Sequence, residues 1–406
     1  MDGAVQPGKD PWSSVLALGI TQITAWGSIY YLFALVMQPL QASLGATNNA
    51  VVGAFSLALL VSGMLAPLVG GVIDRHGGRA IMAAGSVLGG VALCALAHVT
   101  SLVELYVVWA LLGISMAATL YEPAFAVLTQ AFKANFRKAI TALSLFGGFA
   151  STVFWPITAL LIERYGWRNA VTILGLSNLL ICVPLHLFAL PRRRPAPARP
   201  HHAGVASNNL RAALNDRTFY LLCAAFTANA LVFSAMSVHM IAMLNAKGLT
   251  SVQAAFIGAM VGPMQVAGRV VEMLFGRLVS PSKVGFIAMG LLPVSLALFL
   301  VADGTVATLA LFALLYGTGN GVMTIVRGTI PAELYGRLHY GAINGAMASP
   351  VLVSKAVGPL AASLLLAAVG GYGGVIATLA VTAASSVLFF FLATRTRMNA
   401  RYSPGS

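Results

Sequence analysis

Residues 49–79 read NAVVGAFSLALLVSGMLAPLVGGVIDRHGGR. From Ala50 to Ile73 no residue carries a charge; Asp74, Arg75 and Arg79 then arrive together around Gly77 and Gly78. About 20 consecutive apolar residues suffice to cross the hydrocarbon core of a bilayer. The stretch therefore reads as one membrane span followed by a tight, charged turn.

The rest of the chain repeats this design. Of its 406 residues, 59% are hydrophobic and 8% charged, whereas soluble domains carry roughly 25% charged residues. Lipid has to solvate most of the exterior. Apolar runs at 12–37, 48–73, 80–99, 103–131, 138–163, 168–190, 217–245, 250–277, 283–302, 305–333, 339–368 and 373–394 predict twelve transmembrane helices. These runs do not alternate apolar with polar residues, which argues against a membrane β-barrel.

Charge sorts by side. With a cytoplasmic N-terminus, eighteen Lys and Arg residues fall on cytoplasmic segments, and only Arg164, Arg168 and Lys247 on the other side. That bias predicts a multi-pass plasma-membrane protein, of the bacterial inner-membrane kind, with both termini cytoplasmic. The net charge of +14 would suggest nucleic acid in a soluble protein; topology accounts for it here, and no nucleic-acid partner is expected. Cys94, Cys182 and Cys223 lie inside apolar runs without CxxC spacing. They read as small buried hydrophobes, and no metal site is expected. The first run is too long for a cleavable signal.

Pro191 to Arg217, opening PRRRPAPARPHH, is the longest polar stretch. It reads as a cytoplasmic linker, 191–216, between bundles of six helices at 1–190 and 217–406. His201 and His202 read as solvated linker residues. The halves match at an offset of about 203 residues: Thr47 with Thr250, Ala139-Ile140 with Ala342-Ile343, and Pro156 with Pro359. Parallel repeats of this kind build alternating-access transporters.

Gly70, Asp74, Arg75, Gly77 and Arg79 spell G-x-x-x-D-R-x-G-x-R. In this position the pattern resembles the signature loop of the major facilitator superfamily. The resemblance extends over the whole chain through twelve helices, two halves and a basic central linker. It implies an all-α membrane protein of two pseudo-symmetric six-helix bundles, with helices 1, 4, 7 and 10 lining a central cavity and the loop locking one side. Independently, Gly70 permits close helix approach, and Asp74 at a helix end can accept from backbone N–H groups or pair with a basic neighbour. Two departures stand out. After helix 8 the corresponding stretch, Gly276 to Pro281, lacks an acid. Trp109 precedes Gly113 where many proton antiporters of the family carry an arginine, which argues against the drug/proton antiporter branch.

Away from the ends of the predicted spans stand the charges Glu122, Arg269, Glu272, Arg327 and Lys355. Charge at membrane depth is costly and marks function. Three cations against two anions favour an anionic solute, of the monocarboxylate or organic-anion type. Arg327, Arg269 and Lys355 are the candidate carboxylate ligands, and Glu122 and Glu272 the candidate proton carriers. The resemblance sets Glu122 and Arg327 face to face across the pseudo-two-fold axis. Arg269 and Glu272, three residues apart, are spaced to pair on one helix face; Lys355 could instead pair with Glu272. Gln22, Trp26 and Tyr30 share a face of helix 1 and suit an organic solute with one polar end, while Tyr31 reads as an interface aromatic. Tyr121, Asn229 and Asn320 add hydrogen-bonding groups, and His239 reads as a solvated histidine.

No GxxxxGK[ST] motif occurs, so ATP does not drive the protein directly. Gly317 to Gly321 lies within an apolar helix and reads as close packing. Catalytic clusters and cofactor motifs are absent from the sequence, so the chain reads as a non-enzyme without cofactor. The expectation is a proton-coupled secondary transporter of a small organic anion, working as a monomer in the bilayer. Efflux of amphipathic or cationic compounds is the alternative, and a membrane sensor a remote one.

Overall fold

The computed structural model describes residues 11–132, 135–191 and 210–402. Lys9, Lys133, Arg192, Arg193, Arg194, Arg199, His201 and His202, with most of the 191–216 linker, lie outside the described residues. Among the described residues there is no strand.

Ten helical segments are long and apolar enough to cross a membrane. One of them, Phe136–Ala189, is 54 residues long. Gly166, with φ of 76°, breaks it into two spans. With the 25-residue helix Ser251–Phe275 the total is twelve, as the apolar runs predict. We label them α1 Trp12–Leu44, α2 Asn48–His76, α3 Arg79–Leu96, α4 Leu102–Ala131, α5 136–165 and α6 167–189. The remainder are α7 Arg217–Ala246, α8 Ser251–Phe275, α9 Pro281–Val301, α10 Val306–Tyr335, α11 Tyr340–Val369 and α12 Tyr372–Tyr402.

Local chemistry sets the ends. Thr47 and Thr250, matched by the offset, both cap a second helix: each hydroxyl accepts from the backbone N–H three residues on. α1 outruns its predicted end at residue 37 because Pro39 does not stop it. It stops at Gly45, whose φ of 58° suits glycine. Inside α1, Trp26–Tyr31 forms a π-helical turn, a feature frequent at functional sites.

α4, predicted as one helix, is interrupted at Leu120, whose ψ is −155°. Pro123 explains the break. It has no N–H to give the Thr119 carbonyl, so the helix restarts at Tyr121.

The first six helices pack among themselves, as do the last six, and the groups meet chiefly along two seams, α2 with α11 and α5 with α8. The α2–α11 seam is built of main chain. A Cβ on Gly70 would stand 1.9 Å from the Gly341 carbonyl oxygen, and one on Gly345 would stand 2.2 Å from that of Ala66. At the far end Ser349 donates from Oγ to the Gly63 carbonyl. Small residues allow this approach because lipid supplies no hydrophobic drive between helices. The opposite face of α2 carries Met64 and Leu68, 67% and 65% exposed, as a lipid-facing surface requires.

Candidate functional site

Between the two groups lies a partly open cavity, with about 550 Å³ of space not filled by atoms when the adjoining open solvent is counted. Trp26 and Tyr30 enter from α1, Tyr121 and Glu122 from α4, Arg327 from α10 and Lys355 from α11. Six residues singled out in the sequence thus converge on one cavity. Ser62, Thr324 and Asn344 line it as well.

The interruption in α4 positions the acid. The Gln22 amide spans the break, Nε2 donating to the Thr119 carbonyl at 2.7 Å. Its Oε1 accepts from Trp26 Nε1 at 3.1 Å, which fixes the indole at the cavity wall. Glu122 falls in the first turn of the restarted helix, where the positive end of the helix dipole favours its charge. Arg327 Nη2 donates to Glu122 Oε1 at 3.1 Å, and the two side chains are 24% and 19% exposed. The family resemblance sets this pair face to face, and the structure bonds it.

Lys355 makes no ion pair among the described residues, whose two salt bridges are Arg327–Glu122 and Arg137–Glu272. With Arg327 neutralised by Glu122, Lys355 is the surplus charge of the cavity.

Glu272 and Arg269 do not pair with each other, contrary to the spacing argument. Arg137, at the start of α5, donates from Nε to Glu272 Oε1 at 2.9 Å, and Thr141 Oγ1 donates to Oε2 at 2.7 Å. Two donors from across the α5–α8 seam outcompete one neighbour on the same helix. Gly276 leaves room, since a Cβ there would stand 2.4 Å from Glu272 Oε1. The acid missing after α8 is thus replaced by one a turn earlier. Lys355 does not reach Glu272, which lies away from the cavity lining.

Arg269 is 5% exposed; its Nε donates to the Gly321 carbonyl at 3.3 Å, and its Nη1 has no hydrogen-bond partner. The guanidinium lies against Gly148 and the Tyr121 hydroxyl against Gly147, where added Cβ atoms would stand 1.9 Å and 2.2 Å away. Arg269 therefore stands one layer behind the cavity wall. Asn229, buried with an unpartnered Nδ2, and Asn320 are not among the lining residues. His239 contacts Tyr372, Ser363 and the Pro359 carbonyl.

The charged turn after α2 bonds to the start of α11. Asp74 is 7% exposed. Its Oδ1 accepts from the Gly341 N–H at 2.9 Å and its Oδ2 from the Ala342 N–H at 2.8 Å. The carboxylate thereby caps the N-terminus of α11 across the seam. Gln130 Nε2 donates to Oδ1 at 3.0 Å. Gly77 turns the chain with φ of 82°, Arg75 is exposed and Arg79 half-buried. Asparagine at 74 keeps the shape but loses the charge and one acceptor, so Asp74→Asn is expected to lower transport about tenfold. Solute affinity should stay the same, because Asp74 lies outside the cavity. Parallel transport and equilibrium-binding measurements check this; equal losses in both would assign Asp74 to the solute or to folding.

The sequence profile described as Major Facilitator Superfamily matches residues 16–282. The chain belongs to this family. Among characterised sequences it is 28% identical to monocarboxylate transporter 13 of Rattus norvegicus over 287 residues, covering 69% of this chain and 65% of that one. The match thus spans just under two thirds of the relative's length. Among solved structures it resembles the E. coli fucose:proton symporter FucP, with TM-score 0.71, 14% identity and coverage of 94% and 98%. The human organic anion transporter MFSD10 (TETRAN) aligns with TM-score 0.71, 16% identity and coverage of 96% and 100%. These structures show a shared fold, all-α with twelve spans in two six-helix bundles.

Four polar residues of this Major Facilitator Superfamily site carried too little sequence signal to be assigned. Ser62, Thr324 and Asn344 are ordinary polar residues inside spans. Gln22 was grouped with the aromatic stripe of α1, but its carbonyl-satisfying role follows only from Pro123 on another helix.

Proposed function

We propose that this family member is a secondary transporter that moves a small organic monoanion by alternating access, coupled to a proton. The observation that carries the reading is Lys355, an ammonium at membrane depth with no carboxylate partner, in a cavity whose arginine is already neutralised. A site with one surplus positive charge fits one carboxylate. Trp26, Tyr30 and Tyr121 offer a wall for an organic body. Arg269, behind Tyr121, adds to the positive field, and Glu122 carries the proton. Once Glu122 is protonated its hold on Arg327 weakens and a second cation faces the anion. Anion affinity should therefore rise as pH falls.

Similarity to a monocarboxylate transporter and a fold shared with an organic anion transporter support the same reading. The charge bias supports a topology with both termini and the 191–216 linker cytoplasmic, of the bacterial inner-membrane kind. The chain works as a monomer whose bundles are 1–190 and 217–406. The family assignment and the absence of catalytic motifs leave no enzymatic role to propose.

Uptake of radiolabelled pyruvate, lactate and benzoate into proteoliposomes, with and without an inward proton gradient, tests this function. Lys355→Met should weaken binding of the transported acid about 10- to 100-fold, the worth of a charge-assisted hydrogen bond. Transport of tetraphenylphosphonium but of none of the acids would favour cation efflux, with Glu122 as the attracting charge.

A further inference from the structure

Lys355 lies four residues before Pro359 on α11. In a helix the carbonyl of residue i accepts from the N–H of residue i+4, and proline has none. The Lys355 carbonyl is thus left without a helical donor at a depth where no bulk water compensates. Ser234 of α7 supplies one, Oγ donating to the Lys355 carbonyl at 2.5 Å.

The approach depends on Gly358, where a Cβ would stand 2.9 Å from the Leu231 carbonyl oxygen and 2.9 Å from Ser234 Cβ. A turn further, His239 Nε2 lies 3.1 Å from the Pro359 carbonyl oxygen. Side chains of α7 therefore hold α11 on both sides of its proline. The first half has an analogous arrangement on a different helix, α4. Pro123 frees the Thr119 carbonyl beside Glu122, and Gln22 of α1, the helix equivalent to α7, fills it. Each half sets one charged cavity residue beside a proline-freed carbonyl satisfied from its first helix.

We propose that Ser234 is a positioning residue for the anion site: its bond to the Lys355 carbonyl sets how far the ammonium projects into the cavity and ties α7 to the solute. The proposal rests on the reading of Lys355 as the cation that meets the carboxylate. Loss of the hydroxyl leaves the proline-freed, part-buried carbonyl unpaired and lets this turn of α11 drift.

The test is a mutant cycle on the full chain, read by equilibrium binding of radiolabelled pyruvate and by amide hydrogen exchange across 352–363. Ser234→Ala should weaken pyruvate binding about tenfold and speed exchange in α11, while Ser234→Thr, which keeps the hydroxyl, should do neither. Pro359→Ala restores an N–H for the Lys355 carbonyl, so in that background Ser234→Ala should cost nothing further in either measurement. An equal loss in both backgrounds, or none in the native one, overturns the proposal. If Lys355→Met abolishes binding while Ser234→Ala leaves it unchanged, the positioning role falls and the function stands. If Lys355→Met leaves binding intact, or no acid binds the native chain, the function falls and takes the positioning role with it; the exchange cycle then still reads the bond itself.

Discussion

Replacing Arg327 by alanine is expected to abolish both transport and anion binding. The arginine is bonded to Glu122 at 3.1 Å, and both side chains are mostly buried. Removing one partner of a buried pair leaves the other charge uncompensated, at about 3–5 kcal/mol. Residual exposure to the cavity puts the cost at the lower end of that range. In the mutant Glu122 and Lys355 are the two charges lining the cavity, so Lys355 offsets part of that cost and no surplus positive charge is left for a carboxylate. Arg327→Lys should rescue poorly, because an ammonium does not reproduce the planar fork. Glu122→Gln mimics the protonated acid, so it should keep or tighten binding and remove the response to pH. The double variant Glu122→Gln, Arg327→Gln separates coupling from scaffolding. Equilibrium binding at two pH values and proton-driven uptake read the outcome. Restored binding and uptake in the double variant would make the pair a structural tie and remove Arg327 from the solute site.

Gly70→Val should be as severe for a different reason. A Cβ on Gly70 meets the Gly341 carbonyl oxygen at 1.9 Å, and main chain cannot step aside as a side chain can. The variant folds, since α2 keeps its packing against α4, but the seam with α11 cannot close. Overpacking of roughly 3 kcal/mol against the closed state corresponds to about a hundredfold loss of turnover. A cysteine placed at Ser62, in a background free of Cys94, Cys182 and Cys223, reports the state. Impermeant reagent should label it from the Asp74 side in the variant and weakly in the parent. Normal transport by Gly70→Val would show that the cycle does not need this contact.

Much of this arrangement is legible in the sequence because membrane depth restricts what a residue can do. Uninterrupted apolar runs mark the spans, since nothing else in the bilayer satisfies backbone groups. An ionisable residue within a span stands out, and this led to Glu122, Arg327 and Lys355. Partners that are main chain are silent. The Asp74 motif announced an acceptor, but the Gly341 and Ala342 N–H groups that it meets have no side-chain signature. Choice among several possible partners is silent too. Glu272 had Arg269 three residues away and took Arg137 instead, because the α5–α8 seam brings in Thr141 as a second donor. Pro123 accounts for the break in α4 only once the structure is known, because a proline in a membrane helix is tolerated often enough that its effect depends on who fills the freed carbonyl.

The main-chain character of the α2–α11 seam bears on leakage. Three of its close approaches, Gly63 to Ser349, Ala66 to Gly345 and Gly70 to Gly341, bring main chain against main chain, which a rotamer change does not move. Two rods touching through their backbones cannot admit a file of water by local breathing; they separate along the whole line or stay shut. In the proposed proton-coupled cycle opening is therefore expected to be cooperative, with half-open states that would let protons slip past an empty site sparsely populated. On the proposed reading, tightness of coupling is a property of glycine as much as of charge.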